Sequence, residues 1–389
     1  MSAVLGVIEP APAELPRTTR AAVMHGAGEP VEVTELALAP PRRGEVLVKM
    51  GASGVCQSDL SVWSGSLPNP MPMVLGHEGA GTVAALGAGV STLMPGDHVV
   101  LSWLAQCGHC FYCLAGQPSL CESASSAMLR GTLLDGSTRY SRHGTPVHHM
   151  AGLGTFSEYC VVPAAAAVPV PDDIDIAQAA LIGCGVLTGF GAAVNAARIT
   201  AGESVAVLGC GGVGLNAIQG AQVCGARQII AVDLHAERLQ LARRLGATLA
   251  LSPGESLVEQ IREATEGRGA DVAIEVAGRR ESVRDSVRIT RRGGRVVLVG
   301  AGPPDVRLDL PAFNGIVITE KTIIGSFYGS SWVPRDVRLL TDLYAAKRIK
   351  LGELITQTFG LDDIRPALDY CAAERGGRAV VVFSGDAGS

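Results

Sequence analysis

The sequence is short of charge. Asp, Glu, Lys and Arg make up 18% of its 389 residues, and the formal net charge is −5. That balance offers no electrostatic attraction to nucleic acid or to an acidic lipid surface. Basic residues are missing altogether between Lys49 and Arg130, a stretch that includes four closely spaced cysteines. The opening "MSAVLGVIEPAPAELPR" has no basic leader region and is broken by Glu9, Glu14 and three prolines. It reads as a loose arm over residues 1–20, not as a secretory signal. Long unbroken apolar runs are also missing, and "VPAAAAVPVP" is interrupted by three prolines, so no stretch reads as a membrane span. These absences predict a cytoplasmic protein with reduced cysteines and no nucleic-acid or membrane partner.

What is present is apolar. Hydrophobic residues account for 47% of the chain, which suits large buried sheets, and the length predicts two domains. The segment "CGHCFYCLAGQPSLC" carries Cys107, Cys110, Cys113 and Cys121. Four readings compete for it: disulfides, a nucleic-acid finger, a redox pair or a metal clip. Cysteines two residues apart bridge one another poorly but wrap a tetrahedral metal well. A finger needs Lys and Arg for phosphate, and this loop has neither. It reads as a closed structural zinc site over 103–125, holding a loop and doing no chemistry. Cys160, Cys210, Cys224 and Cys371 lie among apolar neighbours and read as buried small hydrophobes.

Cys56 and Cys184 differ, each set beside glycines and polar residues in "SGVCQSDL" and "LIGCGVLTG". Between them "VLGHEGAGTV" supplies His77 and Glu78. Two cysteines and a histidine form a recognised catalytic zinc set with a fourth position for water or substrate. An ion there would act as a Lewis acid, as when zinc lowers the pKa of bound water to about 7. Asp59 is placed to orient His77, and Glu78 is an alternative ligand or an outer group. Their convergence in space is an expectation.

From residue 204 the pattern becomes strand, glycine turn, helix, strand. Gly209, Gly211 and Gly214 follow an apolar β-branched run, and Asp233 stands nineteen residues beyond the last glycine. In that context the G-x-G-x-x-G spacing predicts a dinucleotide site: a tight turn at Gly209, close approach of the pyrophosphate at Gly211, and close helix–strand packing at Gly214. The helix start adds partial positive charge. Asp233 would bond the ribose hydroxyls and repel a 2′-phosphate, favouring NAD, and Arg238 is in reach of the same ribose. Apolar runs at 271–278, 294–302 and 321–329 predict further parallel strands covered on both faces. Short strands and Gly/Pro turns before residue 186 predict a β-rich domain. The final helix, turn and strand are assigned to that first domain.

In "GVCQSDL", "GHEGAGTV", "PGDHVV", the four-cysteine loop, "GTFSEY", "GCGVLTGFGAAVN" and "GCGGVG", in that order, the chain resembles the zinc-dependent medium-chain alcohol dehydrogenases. The resemblance covers nearly its whole length. It implies an α/β protein with a GroES-like β-rich catalytic domain (1–185 and 329–389) and a doubly wound Rossmann coenzyme domain (186–328). It also implies two zinc ions and NAD in each subunit, a homodimer, and direct hydride transfer between an alcohol carbon and the nicotinamide. By resemblance Cys56, His77 and Cys184 hold the catalytic zinc, and Cys107, Cys110, Cys113 and Cys121 the structural one. Ser58 takes the hydroxyl proton, Thr188 and Val213 position the nicotinamide, and Arg378 meets the pyrophosphate. Gly212 and Val299 belong to the coenzyme site.

Two positions depart from the family pattern. Ser61 stands where many members carry the histidine that ends the proton relay. Gln57 stands where many carry a basic group touching the pyrophosphate. The segment after Cys121 is long, as in the dimeric branch that includes glutathione-dependent formaldehyde dehydrogenase, yet "CESASSAM" offers no cation for that anionic substrate. The positions lining the pocket by resemblance, Trp63, Leu67, Trp103 and Met150, imply an aromatic or allylic primary alcohol or its aldehyde. A polyol dehydrogenase and a non-enzymatic NAD-binding protein are the competing readings.

Overall fold

The computed structural model describes residues 15–303, 305–373 and 376–383. Residues 1–14 and 384–389 lie outside the described residues, and a strand, Thr18–Met24, already begins inside the expected arm. Its alternating exposed and buried residues pair with Glu32–Leu38. Together with Tyr140–Arg142, Thr145–His149 and Met73–Val74 these strands close a small barrel.

A seven-stranded sheet stands beside the barrel. At its middle Glu45–Gly54 is buried along nearly all its length and pairs with Glu78–Leu86 on one side. On the other side lies the last strand of the chain, Arg378–Val382, with Val380 opposite Gly54. The last described strand therefore returns to a sheet built mainly from the first half of the chain.

The third sheet is parallel, with strand order Leu249–Leu251, Gln228–Val232, Ser204–Leu208, Ala270–Glu275, Thr290–Leu298, Thr322–Gly325. The order reverses beside Ser204–Leu208, which creates the crevice where a doubly wound sheet binds dinucleotides. Ser204–Leu208 is buried at every position, as a strand covered on both faces must be. The apolar run 321–329 is not strand throughout. The strand stops at Gly325, and the chain turns through Tyr328, Gly329 and Ser330, whose φ values are 53°, 66° and 50°. Three consecutive left-handed residues cannot continue a strand.

The helical run Ile176–Ala196 spans 21 residues, and 78% of its apolar 18-residue stretch is buried. Among the described residues it is the one helix long and apolar enough, by length and composition, to cross a membrane, but Gly183, Gly185, Gly189 and Gly191 interrupt it. Its apolar surface is used inside the protein. Asp175 caps it by accepting a hydrogen bond from the Gln178 N–H at 2.9 Å. A π-turn over Ile182–Val186 interrupts it at Cys184. Of the four cysteines expected in the core, Cys160 and Cys210 are buried while Cys224 and Cys371 are half-buried.

Candidate active site

Cys56 immediately precedes the helix Gln57–Trp63, His77 and Glu78 sit where the strand Glu78–Leu86 begins, and Cys184 lies in the π-turn. Their ligand atoms all lie within 4.8 Å of one another, and all four residues are buried. Asp59 organises the group. Its carboxylate accepts the Cys56 N–H at 2.8 Å, the Gly76 N–H at 3.2 Å and the His77 Nδ1–H at 3.2 Å. With Nδ1 committed, the lone pair of His77 Nε2 faces the cluster, and that buried nitrogen has no hydrogen-bond partner among the described residues. An imidazole so oriented, beside two thiols, fits a zinc ion.

The Cys56 thiol is held well below the ordinary thiol range. The Cys184 hydrogen bond is the largest cause; burial opposes it, and the charges of Arg378 and His77 add to it. Burial pushes the Glu78 carboxyl up to about 7 against the pull of Arg378. Glu78 forms a buried ion pair with Arg378, and its Oε1 has no hydrogen-bond partner among the described residues. The Arg378 guanidinium also reaches the glycine turn, since a Cβ on Gly212 would lie 2.6 Å from its Nη1.

The Ser58 hydroxyl lies 3.9 Å from the Cys56 sulfur, at the edge of the cluster. Ser61 turns away, donating its hydroxyl to the Gln57 carbonyl at 3.1 Å. Gln57 is exposed.

The second cluster is the loop. The sulfurs of Cys107, Cys110, Cys113 and Cys121 also lie within 4.8 Å of one another. The Cys107 N–H points at the Cys121 sulfur at 3.3 Å, and the Cys110 N–H at the Cys107 sulfur at 3.4 Å. Such N–H contacts favour thiolates, and four thiolates suit a closed tetrahedral zinc site.

Gly209 has φ of +97°, a conformation that glycine alone adopts easily. A Cβ on Gly214 would lie 1.8 Å from the Gly209 carbonyl oxygen, while one on Gly211 would meet nothing within 4 Å. The turn is therefore tight where helix meets strand and open where a pyrophosphate would approach. Asp233 is buried and accepts the Cys210 N–H at 2.7 Å and the His235 N–H at 2.9 Å. Arg238 lies 3.7 Å from it. Thr188 lies in a helix packed so closely on Val213 that a Cβ on Gly189 would sit 1.9 Å from the Val213 carbonyl. Val299 donates its N–H to the Glu275 carbonyl at 2.9 Å.

The four suggested pocket residues lie in different settings. Met150 is buried in the core beside the barrel, and Leu67 is exposed. The Trp63 indole donates to the Glu29 carbonyl at 2.7 Å, with Arg365 stacked 4.8 Å over its ring. Trp103 packs on Phe327 and Tyr328, with ring centroids 5.3 and 4.2 Å away. Sequence reasoning missed Phe327 and Tyr328, which sat inside an apolar run read as strand. Gly329, one residue on, was the available signal for a turn.

Two zinc-fitting clusters, with a dinucleotide turn tied to one of them by Arg378, narrow the comparison to dehydrogenases. Residues 42–172 match the alcohol dehydrogenase GroES-like domain, and residues 212–346 match the zinc-binding dehydrogenase family. The chain belongs to the zinc-dependent medium-chain alcohol dehydrogenases. An NDMA-dependent alcohol dehydrogenase of Amycolatopsis methanolica is 39% identical over 371 residues, covering 95% of this chain and all of that one. An S-(hydroxymethyl)glutathione dehydrogenase of Paracoccus denitrificans is 36% identical over 375 residues, covering 94% of this chain and all of that one. Among solved structures, benzyl alcohol dehydrogenase of Acinetobacter calcoaceticus superposes with a TM-score of 0.89 at 32% identity, covering 95% of this chain and all of that one. This medium-chain alcohol dehydrogenase is an oxidoreductase that acts on alcohols with zinc and NAD.

Proposed function

We propose that the protein oxidises an aromatic or allylic primary alcohol to its aldehyde, reversibly, in the crevice between the first sheets and the parallel sheet. The observation that carries this reading is the gathering of Cys56, His77 and Cys184 into one buried cluster; Tyr328, which packs on Trp103 within an aromatic group that includes Phe327, contacts the Gly183 carbonyl beside Cys184. Those rings suit a flat unsaturated substrate. The name of the Acinetobacter neighbour, benzyl alcohol dehydrogenase, supports the same class.

In this reading Cys56, His77 and Cys184 hold one zinc and the four loop cysteines the other. Bound zinc supplies Lewis acidity and NAD accepts the hydride. Asp59 keeps His77 in the tautomer that presents Nε2. Ser58 receives the alcohol's proton, and water completes the relay because the Ser61 hydroxyl is engaged with its own helix. Gly209, Gly211, Gly212 and Gly214 seat the pyrophosphate, with Arg378 beside them. Asp233 and Arg238 take the adenosine ribose, and Thr188, Val213 and Val299 the nicotinamide side. The catalytic domain is residues 1–185 and 329–389, and the coenzyme domain 186–328, in keeping with the sheets each segment builds.

The protein acts as a cytoplasmic homodimer. Ten free cysteines suit a reducing compartment. The edge strand Thr322–Gly325 pairs on one side only and flanks a cavity of about 1220 Å³ lined by Leu120, Val194, Ile324 and Phe327. An edge strand left bare invites another chain. Sedimentation at a single-chain mass would remove the dimer.

NADH formation from a panel of alcohols, with and without chelator and with and without NDMA, tests the activity. Benzyl and cinnamyl alcohol should be turned over and lose activity with chelator, and S-(hydroxymethyl)glutathione should be a poor substrate. Equal turnover of benzyl alcohol and the glutathione adduct would overturn the substrate assignment.

A further inference from the structure

Cys184 sits between Gly183 and Gly185, so the residues flanking it have no side chains of their own to pin the turn in place. It is also a π-turn, a local irregularity that needs outside support. A Cβ on Gly183 would lie 2.4 Å from the Leu101 carbonyl oxygen, so the turn is pressed against the strand His98–Leu101 and cannot gain a side chain there.

One side chain reaches this turn from the far side of the domain junction. The Tyr328 hydroxyl contacts the Gly183 carbonyl and lies 3.2 Å from the Ser102 hydroxyl. A phenol has one proton and a carbonyl can only accept, so the Gly183 contact is a hydrogen bond only if Tyr328 donates to it. Ser102 can then donate to Tyr328 or to the Leu104 carbonyl, 3.2 Å away. Tyr328 is buried, at 2% exposure, which makes the bond costly to lose.

The segment holding Tyr328 is itself clamped. The Gly329 carbonyl accepts the Asn195 amide at 3.2 Å. Gln106 bonds the segment twice, donating to the Ser331 carbonyl at 2.9 Å and accepting the Val333 N–H at 3.3 Å. The left-handed φ of Tyr328 and Ser330 is a conformation that non-glycine residues keep only when their surroundings enforce it. A phenol held this firmly can impose a position on a soft turn.

We infer that Tyr328 is a positioning residue for the catalytic metal: its hydroxyl, fixed by the domain junction, holds the Gly183 carbonyl and with it the Cys184 ligand. The inference rests on the reading of Cys184 as a zinc ligand. Metal content of the unaltered protein tests that reading separately, because one zinc per chain would defeat the reading itself, whereas two leave the role of Tyr328 open to the following test.

Zinc-loaded wild type and Tyr328→Phe are mixed with a chromogenic chelator, and release of the two ions is followed in time. The Phe ring keeps the packing on Trp103 and removes only the donor. One of the two release phases should quicken about tenfold in the variant, the size expected when an outer partner of a metal ligand is lost, and the other should stay as in wild type. After cobalt exchange at the catalytic site, the visible absorption bands should shift in the variant. Unchanged release with unchanged cobalt bands overturns the inference. So does equal quickening of both phases, which would mean general loosening. If Tyr328→Phe does not fold, Ser102→Ala carries the test. It leaves the bond to Gly183 in place, so both phases should match wild type, and a faster phase would overturn the proposal.

Discussion

Arg378, on the last strand, forms a buried ion pair with Glu78, 300 residues earlier in the chain. The same guanidinium abuts the glycine turn at Gly212. One side chain thus ties the first sheet, the metal cluster and the coenzyme crevice together. Removing one member of such a pair leaves the other buried and uncompensated, at about 3–5 kcal/mol. Glu78→Ala should lower denaturant stability by that order, and the double variant with Arg378→Met should recover much of it. An unaltered unfolding midpoint for Glu78→Ala would contradict the pairing.

His149 links stability to pH. Its Nε2 accepts the Arg139 N–H at 3.0 Å and its Nδ1–H donates to the Leu153 carbonyl at 3.0 Å, a pattern that only neutral imidazole can make. Burial, with the Arg139 charge nearby, pushes it down to about 4 from 6.5. Between those values the unfolded chain binds a proton that the folded protein refuses. Stability is therefore fully present above about 6.5 and is lost as pH falls toward 4, by about 3 kcal/mol in all. Unfolding curves across that range should show this slope in wild type and a reduced one in His149→Asn.

The four-cysteine loop has little core of its own, since Phe111 and Leu114 are 71% and 76% exposed. On the proposed reading its hold would come from the bound ion. Cys113→Ser should lose one zinc per chain, become readily cut by protease between Cys107 and Cys121, and melt several degrees lower. Retention of both ions would contradict this.

On the proposed reading Asp233 sets the coenzyme preference. Its carboxylate, already ordered by two backbone N–H groups, would repel a 2′-phosphate. Asp233→Ser should lower kcat/KM for NAD by about tenfold, the loss expected for a hydrogen bond to a charged group, and narrow the preference over NADP. Steady-state assays with both coenzymes measure it.

Gln57 is exposed at the start of its helix, and on the proposed reading it stands near the pyrophosphate. Gln57→Arg should tighten NADH binding severalfold by adding a charge-assisted contact. Fluorescence titration reads it, and an unchanged dissociation constant counts against the role.

Much of this protein was legible without coordinates because its signals are local. The spacing of the loop cysteines suits one ion whatever surrounds it. Gly209, Gly211 and Gly214 follow a β-branched strand within one short unit, so the turn, the crevice and the position of Asp233 are set by neighbours in sequence. Other features are products of long-range packing. The Arg378–Glu78 pair and the bond from Tyr328 to Gly183 join segments whose separation along the chain carries no mark of their meeting. The run 321–329 shows the difference most sharply. Its apolar content predicts strand, with Gly329 a local sign of a turn, and in the fold its second half is a left-handed corner packed on Trp103 and bonded to Asn195. Local composition sets what each segment prefers; which preference survives is decided by the neighbours that folding brings to it.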